Sequence, residues 1–207
     1  GKLWRLDIDA SNTNQWGVPG SLKQGSTLKP LFVAESGQAI TAPLTSAFNE
    51  RGEHMVFFGT GSFYRVGQNV VDPNPQIESF YGVIDKGLDV TKSDLVEQEI
   101  LVETVVSGNN LRVVSDNTVP SSAGGWYLDL LWKSSNGGMG AKGERVVSRA
   151  LVRGDRVIFA TVIPSSDPCA AGGESFLMEL DASSGGRLSY TVFDVRSGYR
   201  YRAWHLT

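Results

Sequence analysis

The sequence has very little of the chemistry that cysteine and histidine provide. It contains one cysteine, Cys169, and two histidines, His54 and His205. One cysteine cannot form a disulfide within the chain or build a cysteine-based metal cluster. Neither histidine accompanies a nucleophile motif such as G-x-S-x-G, and no histidine or lysine lies beside Cys169 to activate its thiol. We expect no hydrolytic active site, and we interpret Cys169 as buried or as paired with a cysteine outside the chain.

An excess of positive charge and long apolar runs are also missing. Lysine and arginine number 19 against 22 acidic residues, and the net charge is −3. No basic stripe therefore offers contacts to a phosphate backbone. No apolar run approaches the roughly 18 residues of a spanning helix, and the N-terminus lacks the basic and apolar regions of a signal peptide. The sequence predicts neither nucleic-acid binding nor a membrane span.

Helical periodicity is nearly absent, and short strand-like runs take its place. They are rich in Val, Ile, Phe, Tyr and Trp and alternate with clusters of Gly, Asn, Ser and Pro, which is typical of an all-β protein. Two hairpins are predicted, one turning at residues 108–110 and one at Gly154-Asp155. A short helical turn capped by Asp94, with Glu97 three residues later, is predicted before a strand.

Four strand-like runs form an internal repeat in which an aromatic-apolar stretch leads into an aspartate. The aspartates are Asp7, Asp85, Asp129 and Asp181, spaced by 78, 44 and 52 residues. The last two spacings approximate one four-stranded propeller blade, and such thin units need radial stacking. The sequence predicts part of a modified β-propeller built from antiparallel blades, with a β-sandwich as the alternative. We interpret Asp7 and Asp181 as corner residues whose carboxylates accept hydrogen bonds from the turn backbone.

The stretch "IPSSDPCAAGGES", which holds the only cysteine, stands between two apolar runs. Pro164 and Pro168 interrupt strand pairing, and Gly172-Gly173 can turn the chain back. We predict a connector between neighbouring strands of one blade. The glycine-rich stretches "GTGSF" and "GGMGAKG" are not predicted to bind phosphate, because no helix pattern follows either of them.

Arg153, Gly154 and Asp155 spell RGD, the tripeptide that some host-cell integrins recognise. Recognition requires an exposed turn with both charges free, which a two-residue hairpin turn can provide. Such turns also favour glycine and aspartate for backbone reasons alone. These three residues are the candidate partner-binding site of the sequence.

Several stretches occur in an order that resembles the C-terminal β-propeller domain of the PilC/PilY family of type IV pilus biogenesis proteins. They are "VFFGTGSFY", "SFYGVID", "GWYLDL", "GERVVS" and the block from Arg156 to Leu188, and the resemblance covers roughly Lys2 to Asp194. It implies that residues 1–207 are the C-terminal portion of a single propeller domain, a fragment of a longer protein.

The resemblance also implies a function. A family member would be a non-enzymatic module at the bacterial cell surface, at the pilus tip or in the outer membrane and periplasm. It would support pilus assembly, oppose retraction, and contribute to twitching motility and adhesion. The implied partners are pilin or minor pilins, with a host-cell surface as a further possibility.

Calcium enters through the same resemblance, because the family binds this ion through an acidic D-x-D loop. "DIDASNTNQW" begins with Asp7 and Asp9 but lacks the later oxygen ligands and the bidentate acid that closes such a loop. We expect no metal or other cofactor in this chain and calcium in the full-length protein.

Two alternative functions stay open at the sequence level. The repeat resembles that of quinoprotein dehydrogenase propellers, which combine tryptophan-docking motifs with an adjacent cysteine pair and a calcium-bound quinone. One cysteine cannot supply that pair. The alternatives are therefore a quinoprotein-like envelope dehydrogenase and a structural adhesin domain.

Overall fold

A computed structural model describes residues 1–63, 74–106, 109–133, 137–165, 167 and 173–190. Regular structure in these ranges consists of β-strands and short 3₁₀ helices, so the prediction of an all-β fold is confirmed. The strands are β1 Lys2–Leu3, β2 Lys23–Gln24, β3 Thr27–Leu28, β4 Phe32–Val33, β5 Thr45–Phe48, β6 His54–Gly59, β7 Ser79–Ile84, β8 Val96–Gln98, β9 Ile100–Val106, β10 Asn109–Val114, β11 Gly125–Asp129, β12 Trp132–Lys133, β13 Met139–Gly140, β14 Leu151–Arg153, β15 Arg156–Ala160, β16 Ile163–Pro164, β17 Gly173–Glu174 and β18 Leu177–Asp181. The 3₁₀ helices are Thr13–Gln15, Gly20–Leu22 and Lys92–Asp94.

A five-stranded sheet with the order β5-β6-β7-β11-β8 organises the fold. Strands β5, β6, β7 and β11 are antiparallel neighbours, whereas β8 runs parallel to β11. Successive side chains of a strand point to opposite faces. Phe57 and Phe80 therefore pack on one face, and Phe58 and Tyr81 pack on the other. The central sheet lies between two hydrophobic clusters.

The larger cluster, here called the C-terminal core, joins the central sheet to the three-stranded sheet β14-β15-β18. The rings of Phe80 and Phe159 stack across this junction with centroids 3.8 Å apart. The fully or nearly fully buried members are Met55, Phe57, Phe80, Ile84, Ile100, Val114, Val119, Trp126, Leu128, Leu130, Val146, Ala150, Val157, Phe159, Ile163, Phe176, Met178, Leu180 and Ala182.

Trp126 is fully buried in the C-terminal core and fits between two glycines. A Cβ atom on Gly82 would lie 2.6 Å from the indole, and one on Gly185 would lie 2.2 Å from it. The indole Nε1 donates a 3.0 Å hydrogen bond to the carbonyl oxygen of Ala182. Gly185, in the "LDASSGG" corner, must therefore be glycine for two reasons: the indole of Trp126 packs directly on it, and its φ is +71°.

The smaller cluster, here called the N-terminal core, covers the other face of the central sheet. It is supplied largely by irregular chain and by the two-residue strands β1 and β4, which pair with each other. The rings of Phe32 and Tyr81 lie 4.9 Å apart, and those of Phe58 and Tyr81 lie 5.3 Å apart. Its buried members are Leu3, Val18, Leu22, Leu31, Phe32, Ala34, Phe58, Tyr81, Val83, Val90 and Leu95.

Both predicted hairpins and the predicted connector are present, but Asn109 and Asn110, which were predicted in the first turn, belong to β10. β9 and β10 pair antiparallel around residues 107–108, which lie outside the described ranges, and β14 and β15 pair around Gly154-Asp155. β16 and β17 pair within the connector, where Pro164 lies opposite Gly173, and the strands on either side of it, β15 and β18, are direct neighbours. Pro168, Cys169 and Gly172 lie outside the described residues.

The predicted helical turn exists, but the predicted cap is wrong. The 3₁₀ helix Lys92–Asp94 is capped by Thr91, whose hydroxyl donates a 2.6 Å bond to the Asp94 carboxylate. That carboxylate also accepts a 2.8 Å bond from the Thr91 backbone N–H. Asp94 is therefore the last residue of this turn in a capping box, and Glu97 lies in β8.

The interpretation of the 44-residue spacing between Asp85 and Asp129 as one blade is also wrong. The strands that carry these two repeats, β7 and β11, are antiparallel neighbours in one sheet, with Tyr81 opposite Tyr127. Equivalent strands of successive blades would lie in different sheets. The similarity of the two sequences reflects the same requirement in both strands, which is to bury aromatic side chains on two faces.

The four repeat aspartates have different roles. Asp181 accepts a 2.7 Å bond from the Ser184 backbone N–H, as predicted for a corner residue. The carboxylate of Asp7 instead accepts a 2.9 Å bond from Arg5, which corrects its assignment as a turn-capping residue. Arg5 also bonds Asp85 at 3.0 Å, so one arginine links two of the repeats.

Candidate interaction surface

The tripeptide Arg153-Gly154-Asp155 lies at the end of the β14–β15 hairpin, and all three residues are exposed. Arg153 and Arg156 are the paired residues that flank the two-residue turn. Gly154 has a φ of +63°, and a Cβ atom there would meet no atom within 4 Å. The glycine therefore serves the backbone conformation of the turn, with open space around it.

Hydrogen bonds behind the turn fix its position. The carbonyl oxygen of Asp155 accepts a 2.7 Å bond from the backbone N–H of Ala182, next to the Asp181 corner. The Asp155 carboxylate lies 3.9 Å from Arg156, and its side chain is 52% exposed. Arg156 is held by Glu179 on the neighbouring strand. Within the described part of the chain Arg153 has no ion pair, so the turn presents one free cation and one loosely paired anion.

Of the residues considered for catalysis or metal binding, those within the described ranges are not brought together. His54 is exposed in β6, where its ring packs 5.4 Å from the ring of Phe48. His205 and Cys169 lie outside the described ranges. Among the residues that the structure describes, no group of three or more histidine, cysteine and acidic side chains could hold a metal ion. Asp9 is exposed, and Asp7 is paired with Arg5.

A polar network beside the N-terminal core was missed by sequence reasoning. The ammonium group of Lys92 lies 2.9 Å from Glu35 and 3.0 Å from Asp129, and it sits 4.4 Å from the ring centroid of Tyr127. Burial lowers the pKa of Lys92, but the hydrogen bonds to Glu35 and Asp129 outweigh it and raise the pKa well above its ordinary value. The three charges come from chain segments far apart in sequence.

The same network continues into the sheet through fully buried groups. Asp129 accepts a 2.6 Å bond from the Ser79 hydroxyl, which in turn accepts a 2.8 Å bond from Gln38. The Tyr81 hydroxyl donates to the Gln38 carbonyl at 2.7 Å. Burial raises the pKa of Tyr81 to about 12. The network ties the N-terminal core to the end of β11.

A second buried ionic cluster lies beside the C-terminal core. The guanidinium of Arg112 bonds both carboxylate oxygens of Glu144 at 2.6 and 2.7 Å and also bonds Glu103 at 2.8 Å. Its side chain is 2% exposed and stacks 3.5 Å from the ring centroid of Phe176. Lys142 also bonds Glu103 at 2.8 Å, so two cations compensate the two carboxylates, which is typical of a structural site.

Comparisons with known proteins point to one group. No protein-family model matches the chain. A type IV pilus biogenesis factor PilY1 homolog of Xylella fastidiosa is 34% identical over 206 residues, which is 96% of this chain and 15% of that protein. The type IV pilus biogenesis factor PilY1 of Pseudomonas aeruginosa is 28% identical over 230 residues, which is 94% of this chain and 19% of that protein.

Comparison with solved structures points to the same protein. The crystal structure of the Pseudomonas aeruginosa PilY1 C-terminal domain matches with a TM-score of 0.67 and 25% sequence identity, covering 81% of this chain and 37% of that one. Over nearly its whole length the chain is therefore similar to type IV pilus biogenesis factors of the PilY1 group, and it spans 15–19% of their length. In its fold it is similar to part of the PilY1 C-terminal domain. In the described residues no helix is long and apolar enough to cross a membrane.

Proposed function

We propose that this chain is a non-enzymatic interaction module of a type IV pilus biogenesis factor, located at the pilus tip or elsewhere in the cell envelope. The observation that carries the proposal is the alignment of 96% of the chain with a relative of that name. The chain spans 15% of that relative's length, so the module acts as one part of a larger protein. Pilin or minor pilins are its expected partners.

The specific roles follow from the same proposal. The module supports pilus assembly, opposes retraction, and contributes to twitching motility and adhesion. The central sheet and the β14-β15-β18 sheet form part of a propeller that the remainder of the protein completes. Calcium binds in the full-length protein, outside this segment. The geometry of the Arg153–Asp155 turn supports a role in adhesion, because a rigidly held turn exposes both of its charges.

Co-purification with pili tests the location and the partner class. In the source bacterium, the intact protein should appear in the sheared pilus fraction in proportion to pilin. Deleting the segment that corresponds to residues 1–207 should remove it from that fraction while a tagged remainder of the protein stays detectable in the envelope. A protein that is abundant in the envelope and absent from sheared pili, with or without the deletion, would contradict the proposal.

A further inference from the structure

A groove of about 370 Å³ lies between the edges of two sheets. One wall is β5, the edge strand of the central sheet, and the other is β14, the edge strand of the β14-β15-β18 sheet. The walls touch where the Thr45 hydroxyl donates a 2.6 Å bond to the Ala150 carbonyl oxygen. The lining residues are Leu44, Thr45, Ser46, Arg149, Ala150, Leu151 and Val152.

Backbone groups on β14 face this groove without partners. Arg153 and Leu151 pair with Arg156 and Ile158 of β15. Hydrogen-bonded and non-hydrogen-bonded pairs alternate along an antiparallel ladder. The pair that closes a two-residue turn is hydrogen-bonded, so the N–H and C=O groups of Val152 point away from β15. In the described residues these groups have no hydrogen bond outside the strand ladder.

Strand β5 presents its edge in the same way. Asn49 N–H donates a 2.9 Å bond to the Glu53 carbonyl oxygen, which marks a hydrogen-bonded pair next to the Phe48–His54 pair. By alternation, the backbone groups of Phe48 and Ser46 point away from β6. Two open strand edges therefore flank one groove, and such edges are templates for a further strand.

The side chains along β14 define what the added strand must carry. Val152 packs against the C-terminal core, whereas Arg149, Leu151 and Arg153 are exposed and alternate as basic, apolar, basic. Neither Arg149 nor Arg153 has an ion pair in the described part of the chain. Residues directly opposite each other on paired strands interact, and opposite charges are favourable there.

A second copy of the chain paired about Leu151 does not meet this requirement. If two β14 edges paired antiparallel about Leu151, Arg149 of each copy would lie opposite Arg153 of the other. Like charges directly opposite each other destabilise a strand pair. In this register the edge is protected against pairing with itself but open to an acidic partner.

We propose that the β14 edge binds an extended segment of a partner protein, adding a strand to the sheet, and that acidic, apolar and acidic residues occupy every second position of this segment. The partner's carboxylates lie opposite Arg149 and Arg153, and its apolar residue lies on Leu151. This deepens the proposed function by assigning the chemistry of a partner, and peptide binding can be measured without pili. Failure of the two proposals is therefore distinguishable.

Fluorescence anisotropy on the intact protein tests the inference with a labelled peptide of the sequence pattern Glu-Thr-Val-Thr-Glu. It should bind saturably, whereas the peptide with lysine in place of glutamate and the glutamate peptide with N-methylated threonines should not. Replacing both arginines (R149E and R153E) should weaken the glutamate peptide by about tenfold and create binding of the lysine peptide. The matched control is Lys23→Glu on β2, which should change neither.

The reversal of preference separates recognition from misfolding, because an unfolded variant gains no new ligand. Equal binding of the glutamate and lysine peptides, or unchanged binding by the doubly substituted protein, would overturn the inference. So would concentration-dependent self-association through this edge in sedimentation measurements. In each of those cases the arginines serve only to shield the strand.

Discussion

The two faces of the central sheet are built from the same strands but closed in different ways. Phe57 and Phe80 enter the C-terminal core, which a second sheet covers with stacked rings and an indole fitted between glycines. Phe58 and Tyr81 enter the N-terminal core, which short strands and irregular chain cover. Packing closes the first face, and a hydrogen-bonded polar network helps to close the second.

On the N-terminal side, Trp4, Leu6 and Ile8 alternate with less exposed residues and are 44%, 62% and 63% exposed. A stripe of large apolar side chains of this kind is unusual on a free surface. We expect the C-terminal core, which has the larger set of buried side chains, to contribute more to the stability of the chain.

The largest expected effect tests the ionic cluster beside the C-terminal core. Arg112→Met should destabilise the protein by about 3–5 kcal/mol, because Glu144 would remain buried without a cation, whereas Glu103 keeps its ion pair with Lys142. Chemical denaturation measures the loss. Arg187→Met, at an exposed site, is the control and should stay within about 0.5 kcal/mol of the parent protein. Equal stability of the two variants would mean that the cluster does not support this side.

Two substitutions of glycines with a positive φ test how tightly the indole of Trp126 is packed. Gly185→Ala should cost about 2–4 kcal/mol, since the new Cβ meets the buried indole and the backbone is strained. Gly154→Ala has the same kind of strain in open space and should cost about 1–2 kcal/mol. Thermal unfolding compares the pair. An equal loss in both would show that Trp126 relaxes easily.

The N-terminal face should respond less to a single deletion. Tyr81→Phe removes the hydrogen bond to Gln38 and should cost about 1 kcal/mol at neutral pH, unless the Gln38 carbonyl finds a new donor. The expected loss is smaller than for Arg112→Met because a neutral hydroxyl is removed and no charge is left unpaired. A loss as large as that of Arg112→Met would reverse the ranking of the two faces.

The stability of the protein at alkaline pH gives a second test of the contribution of Tyr81 to the N-terminal face. Burial raises the pKa of Tyr81 to about 12, above its value of 10 in the unfolded chain. The contribution of this raised pKa to the free energy of unfolding is fully present below pH 10 and is lost as the pH rises towards about 12. Tyr127, whose pKa burial also raises to about 12, contributes with the same sign. Unfolding measured across this range should show a shallower decline in Tyr81→Phe than in the parent protein, and identical slopes would contradict the account.

The smallest effect on stability is expected at the exposed turn. Asp155→Glu keeps the charge and should change the unfolding free energy by less than about 0.5 kcal/mol. If the turn contacts integrins, the longer side chain should nevertheless abolish adhesion to integrin-bearing cells. Asp167→Glu, outside the tripeptide, is the matched control. Unchanged adhesion of the Asp155 variant would remove the turn from the proposed function.

Local signals predicted the parts of this fold that depend on neighbouring residues. The alternating apolar runs, the two hairpins and the Pro/Gly-rich connector were predicted correctly for that reason. The capping box was also legible, since "TKSD" at Thr91–Asp94 fits the S/T-x-x-D/E pattern, but the prediction placed the cap three residues too late. Pairing of β7 with β11 was not predictable from either strand, because the repeat does not encode which strands become neighbours.

The polar networks were beyond sequence reasoning for a similar reason. Lys92 meets Glu35 and Asp129 only because the chain brings three distant segments to one end of the central sheet. The RGD tripeptide at Arg153–Asp155 is recognisable in the sequence itself, whereas the open edge of the neighbouring strand β14 is not. Arg149, Leu151 and Arg153 are recognised as one exposed face of this edge only when the structure shows that Val152 packs against the core.

Retraction provides the most direct test of the proposed role in pilus biogenesis. Surface piliation and twitching would be measured in the source bacterium after deletion of the segment corresponding to Gly1–Thr207, with the retraction motor active and with it disabled. The account predicts loss of pili with an active motor and their return when retraction is disabled. Unchanged piliation and motility with the motor active would contradict it.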